Sequence, residues 1–197
     1  MRQNNIWMNK NLVKVLKENG VAVMPTDTLY GIVGKAESEE VVNRIYELRK
    51  RAPSKPCIVL ISNIKDLEKF SIILSEKQKE ALEKYWPLDS ANDFQPEPVS
   101  VVLDCFDEKF SYLHRGTNSL AFRLPMQIGL QNLLKETGPL VAPSANLEGL
   151  PPALNIAEAK KYFGNFVDLY IDGGEIKGKA SKVIRLKNDG SIDVLRD

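Results

Sequence analysis

The chain has 197 residues, 27% charged and 43% hydrophobic, with a formal net charge of +1. That composition excludes a disordered chain and a bulk polycation, and the length suits one domain with a real core. No apolar run approaches the roughly 20 residues that span a bilayer, and the N-terminus lacks the apolar core of a signal peptide, so the expectation is a cytoplasmic protein with no membrane association.

In chain order, "NKNLVKVLKENG" (9–20) reads as an amphipathic helix stopped by Gly20, and "VAVM" (21–24) as a short buried strand. "MPTDTLYGIVG" (24–34) then places Thr26, Asp27, Thr28 and Tyr30 in a loop at the strand's end. "SEEVVNRIYELRKR" (38–51) is a helix with Ser38 as N-cap and acids in its first turn. "CIVLI" (57–61) reads as a strand apolar on both faces, and "SEKQKEALEKYW" (75–86) as a helix opened by a Ser75–Gln78 capping box. Residues 88–96, "LDSANDFQP", are polar and read as an exposed loop with Phe94 as its large apolar residue.

"PVSVVLDC" (98–105) and "SLAFRLP" (119–125) read as strands, "IGLQNLLKETG" (128–138) as a helix, and "PLVA" (139–142) as a strand. "NIAEAKKYFG" (155–164) is a helix and "VDLYI" (167–171) a strand. The tail, 181–197, reads as two strands about an Asn188-Asp189-Gly190 turn. Early alternation followed by clustered strands predicts an α/β fold, a mixed sheet flanked by helices.

Cys57 and Cys105 are far apart, outside any C-x-x-C pattern and beside apolar residues, which predicts two buried thiols. With one histidine, His114, a zinc site is not expected, and no G-x-S-x-G elbow accompanies it. Three polar clusters remain: the Thr-rich stretch at 26–30; "LRKRAPSKP" (48–56), with Arg49, Lys50, Arg51 and Lys55 close together and Pro53 and Pro56 stiffening the exit; and "APSANLEGLPP" (142–152), with Ser144 and Asn146. Each has an ordinary explanation as turn residues or as a basic helix end. Together they suit an anionic ligand of nucleotide type, since Arg forks onto phosphate oxygens and Lys supplies a point charge. There is no Walker A lysine motif and no G-x-G-x-x-G.

In this order, "PTDTLYGIVG", "LRKRAPSKP", "SLAFRLP", "APSANLEGLPP", "SKVI" and a near-terminal "VLR" resemble the motifs of the YrdC/TsaC family, the threonylcarbamoyl-AMP synthases, across residues 24–196. The resemblance implies a single YrdC-like domain over 1–197, with a twisted mixed sheet and a basic concave face. It implies a nucleotidyltransferase that makes threonylcarbamoyl-AMP and pyrophosphate from L-threonine, bicarbonate and ATP, with Mg²⁺ on the phosphates and no protein metal site. The product serves t6A modification at adenosine 37 of tRNA, so tRNA and the proteins of that machinery are the implied partners. By position, Arg49, Arg51 and Lys55 are the catalytic cations. Thr28, Arg123 and Ser181 bind threonine, and Arg51, Lys55, Ser119, Ser144, Asn146 and Arg196 bind ATP. The chain departs from the family pattern at Arg49 (usually Lys), at the insertion 88–96, at Glu97 (usually Gly) and at Lys182 (usually Thr), and with the sequence ending just after Arg196 the expectation is the short form without a further C-terminal domain. These departures raise the alternative of a YrdC-fold RNA-binding protein without synthase activity.

Overall fold

The computed structural model describes residues 6–52, 54–87 and 97–197. The expected loop at 88–96, its Phe94, and the stiffening proline Pro53 lie outside the described residues.

Helix α1 (Lys10–Lys17) is capped by Asn9, whose side chain accepts the N–H groups of Asn11 and Leu12. It leads into β1 (Ala22–Pro25) and β2 (Tyr30–Lys35). Helix α2 (Glu39–Arg49) follows, with Ser38 as its N-cap and Lys50 closing it in the left-handed conformation at φ 50°. Next come β3 (Ile58–Leu60), a 3₁₀ segment (Ile64–Phe70) and α3 (Glu76–Glu83), which carries the expected Ser75–Gln78 capping box. The second half runs β4 (Val99–Asp104), α4 (Ser111–His114), β5 (Ser119–Arg123), α5 (Ile128–Thr137), β6 (Leu140–Val141), α6 (Ile156–Phe163), β7 (Leu169–Tyr170), β8 (Lys182–Leu186) and β9 (Ile192–Arg196). Among the described residues, no helix is long and apolar enough to cross a membrane.

The strands form one mixed sheet in the order β7-β1-β2-β6-β3-β5-β4-β8-β9. Pairings β1–β7, β3–β5 and β4–β8 are parallel and the others antiparallel. The expected mixed α/β sheet is therefore present, and every predicted strand and long helix is found within a few residues.

The stretch at 26–34 differs from the reading of it as a loop. It is a tight turn feeding β2, whose residues Tyr30 to Gly34 are all buried. Two glycines hid the strand, because glycine is a poor strand former. Here the absence of a side chain is what lets α2 pack on the sheet: a Cβ added at Gly34 would lie 2.4 Å from Val41 Cγ1.

Core residues alternate between two clusters as the pleat requires. On one side Val23, Ile32, Val59 and Val141 pack with Val42 and Ile45 of α2 and Phe163 of α6. On the other, Met24, Val33, Leu60 and Leu140 pack with Leu12 and Leu16 of α1 and Leu130 and Leu134 of α5. Thus the central strands are covered on both faces. Strands β5 and β4 differ: Leu120, Phe122, Val101 and Leu103 enter the first cluster, while the alternate residues Ser119, Ala121, Arg123 and Val102 line a cavity on the other face.

Phe70 anchors the covered side, with ring centroids 5.3 Å from Phe110 and 5.2 Å from Phe122. Phe70→Ala should cost about 3–5 kcal/mol of stability, a lost transfer term plus the cavity left behind. It should show as a lower urea midpoint at unchanged slope, and a change below 1 kcal/mol (roughly the scale of a surface substitution) would contradict this packing.

Candidate functional site

The uncovered face of β5, β4, β8 and β9 forms the floor of a cavity of about 640 Å³. Strand register aligns its charges. Arg123 pairs with Ser100, Ser100 with Val183, and Val183 with Arg196, a row across four strands. Burial lowers the Arg196 pKa, and the nearby Arg123 charge lowers it further. Arg196 is held by the Ser181 carbonyl, to which Nε and Nη2 donate at 3.1 and 2.7 Å. The buried hydroxyls of Ser181 and Ser100 share a hydrogen bond of 2.8 Å.

The walls are three loops. The first is the turn between β1 and β2. Thr26 N–H donates to Leu29 O at 2.9 Å and Thr26 Oγ1 to the same carbonyl at 2.8 Å. This fold brings Thr26 Oγ1 to 3.2 Å from Thr28 Oγ1, and both threonines line the cavity. Asp27 points elsewhere, to an ion pair with Arg123 Nη2 at 2.7 Å, with both side chains almost wholly buried. The approach is not aligned as a hydrogen bond, and Arg123 Nε has no hydrogen-bond partner among the described residues. Such a group retains donor capacity for an anion entering the cavity.

The second wall is the basic loop after α2. Arg51 lines the cavity and donates from Nε to Lys55 O at 2.9 Å and from Nη2 to Pro56 O at 2.9 Å. The third is the 142–152 loop. Ser144 lines the cavity and donates to Asn146 Oδ1 at 2.6 Å, while the Asn146 amide donates to Leu147 O and Leu150 O, each at 2.8 Å.

Of the residues expected at a site, Thr28, Arg51, Ser119, Arg123, Ser144, Ser181 and Arg196 meet on this one cavity. Arg49, Lys55 and Asn146 do not line it: Arg49 and Asn146 are buried beside it and Lys55 is exposed. Arg49, only 3% exposed, donates from Nε to Asn146 O at 3.1 Å and from Nη2 to Asn146 Oδ1 at 3.0 Å. Burial first, then the Arg51 charge, bring its pKa down to about 10, so it remains a cation at neutral pH. Lys55 faces Glu148 in an ion pair.

Tyr30, Cys57, Thr117 and Arg185 also line the cavity. Tyr30 belongs to the Thr-rich cluster, but the others carry no signal separable from ordinary strand and turn residues. The Tyr30 hydroxyl donates to Gly174 O at 2.8 Å and accepts from Gly173 N–H at 2.9 Å. It thereby fixes the segment before Ser181 over the first wall.

With that geometry in place, likeness to known proteins becomes specific. Residues 14–197 match the Sua5/YciO/YrdC family model, described as telomere recombination. The chain belongs to this family. Threonylcarbamoyl-AMP synthase of Bacillus subtilis is 30% identical over 81% of this chain and 44% of its own length. The protein of that name from an Enterobacter species is 31% identical, covering 85% of this chain and 84% of the relative. The crystal structure of Pyrococcus abyssi Sua5 complexed with L-threonine superposes with a TM-score of 0.76 at 28% identity, over 92% of this chain and 50% of that one. Escherichia coli YciO shares the fold, at TM-score 0.79 and 22% identity over 99% of this chain and 90% of that one. The chain spans about half the length of the Bacillus and Pyrococcus proteins.

A Cβ added at Gly178 would lie 1.8 Å from Thr28 O, so the 172–181 segment lies directly on the threonine turn. Gly178→Ala should lift that segment and destabilise the protein by about 1–3 kcal/mol through overpacking. An unchanged melting temperature together with unchanged protection of the Thr28 region in hydrogen exchange would show that the two do not touch.

Proposed function

We propose that the protein is a threonylcarbamoyl-AMP synthase, a nucleotidyltransferase that joins L-threonine, bicarbonate and ATP. The observation that carries this reading is the convergence of seven expected residues, from the β1–β2 turn to the last strand, on one cavity. Relatives bearing that name in bacteria, an archaeon and mammals support it, as does the likeness to Pyrococcus abyssi Sua5, whose structure is described as complexed with L-threonine.

In this reading the threonine amine takes up CO₂ from bicarbonate to give a carbamate. A carbamate oxygen then attacks the α-phosphorus of ATP, the bond to the β-phosphate oxygen breaks, and pyrophosphate leaves. Both partners are anions, so the protein's main task is to position them and offset their repulsion. Arg123 takes the threonine carboxylate, beside Thr28 and Ser181. Arg51 and Arg196 face the nucleotide with Ser119 and Ser144, while Lys55 and Asn146, expected at the nucleotide, act from the same two walls without lining the cavity. Arg49 contributes by holding Asn146 in place. Mg²⁺ enters as the counter-ion of the ATP phosphates. The site offers it cations and no carboxylate cluster among the described residues, so no step is assigned to a protein-held metal. The product's use in t6A modification of tRNA, the proteins of that machinery and a cytoplasmic setting belong to the same proposal.

Pyrophosphate release from ATP should require both threonine and bicarbonate. Release that proceeds equally well without threonine would overturn the reading.

Arg51→Ala should lower kcat/KM by about 10²–10³, the scale of removing one preorganised donor from a reacting phosphate. Lys50→Ala should change it little, since Lys50 is exposed and outside the cavity. Small and equal losses in the two variants would place the basic loop outside the reaction.

A further inference from the structure

The basic loop already holds an anion, and it comes from the protein itself. Glu148 follows Asn146 in the third wall. Its Oε2 accepts the Ala52 N–H and its Oε1 accepts the Lys55 ammonium. Its own N–H donates to Arg49 O at 2.8 Å. A backbone amide and an ammonium converging on one pair of oxygens is a donor set that suits a phosphate as well as a carboxylate.

We propose that Glu148 is an internal anion that occupies the phosphate-accepting side of the 49–56 loop and gives up Lys55 to the polyphosphate of the incoming nucleotide. It is therefore a residue that sets nucleotide affinity. This rests on the nucleotide reading of the cavity.

The geometry of the loop makes the exchange a side-chain event. The Lys55 carbonyl is pinned by Arg51 Nε at 2.9 Å and by the Tyr46 hydroxyl at 2.8 Å. The Lys55 side chain is 60% exposed, so its ammonium can change partner by rotating about its own bonds while the backbone stays in place. Arg51 and Pro56, on either side of Lys55 in the loop, both line the cavity. The hydrogen bond from Lys55, then that from Ala52 N–H, holds the Glu148 carboxyl below the usual range. It is thus ionised at neutral pH, and it is a charge of the same sign as the ligand. An ion pair this exposed is a weak lock, and a polyphosphate carrying several charges displaces a single carboxylate.

A purely structural staple makes the opposite prediction. Glu148→Gln keeps an oxygen for the Ala52 N–H and removes only the charge, so it separates the two. Calorimetry on the full chain, without threonine, gives the dissociation constants for ATP, inorganic tripolyphosphate and adenosine. The expected result is about two- to fivefold tighter ATP and tripolyphosphate in Glu148→Gln, the scale of relieving one exposed charge pair. Adenosine affinity should be unchanged. The gain should vanish when Lys55→Ala is also present, because the two residues act through one pair. Glu148→Ala, which removes the carboxylate by truncation, should shift tripolyphosphate affinity in the same direction. ATP binding that is equal or weaker in Glu148→Gln at an unchanged melting temperature overturns the proposal while leaving the nucleotide reading in place. Failure of the wild-type chain itself to bind ATP overturns both.

Discussion

A guanidinium cannot be taken out of water without acceptors, and Arg49 is almost fully out of water. Its acceptors are the carbonyl and side-chain oxygen of Asn146, with the Ser144 hydroxyl at 3.4 Å. That one requirement joins the end of α2 to a loop 97 residues away in sequence. The return connections run from Glu148: its N–H to the Arg49 carbonyl, its carboxylate to Ala52 and Lys55. Two walls of the cavity are therefore one interlocked unit, and the positions of Ser144 and Arg51 depend on it. An arginine suits this duty, since a fork can serve several oxygens and an ammonium cannot match that geometry.

The floor follows a different logic. On β5, β4 and β8, one face is apolar and packed while the other carries Arg123, Ser100 and Arg185, and the exposed edge strand β9 adds Arg196. Like charges so close would repel each other in an empty cavity. Asp27 offsets Arg123 and Asp104 offsets Arg185 through its Oδ1, 2.6 Å from Nη2. Arg196 has only a carbonyl and a hydroxyl from Ser181 as described partners. The arrangement is compatible with stability, since the Asp27 and Asp104 carboxylates partly offset the arginines. A threonine turn on one rim, with the 172–181 segment laid over it by Tyr30, completes the enclosure.

Much of the fold was legible because local rules governed it. Asn9, Ser38 and Ser75 begin helices where capping chemistry places them, and the Asn188-Asp189-Gly190 turn joins β8 to β9. β2 was the failure. Its sequence, with Gly31 and Gly34 after a polar turn, carries a weak strand signal, and what makes it a strand is the pairing of Gly31 with Met24 and of Gly34 with Val141. α4 and the two 3₁₀ segments, Ile64–Phe70 and Glu108–Phe110, were also unmarked, being too short to show a period.

The sequence by itself singled out Thr28, Arg51, Ser119, Arg123, Ser144, Ser181 and Arg196, which line one cavity, and it determined the mixed α/β class through alternating periodicity. Only the tertiary structure decided which of the basic residues face the cavity. Arg49, Arg51 and Lys55 lie within seven positions of one another in "RKRAPSK", and nothing local separates their roles. Lys50 in the left-handed conformation ends the helix, sending Arg49 inward to Asn146, Arg51 onto the wall and Lys55 to Glu148. The reason is physical: the partner of each cation comes from a distant segment, and the desolvation cost of a charge is set by what surrounds it in three dimensions.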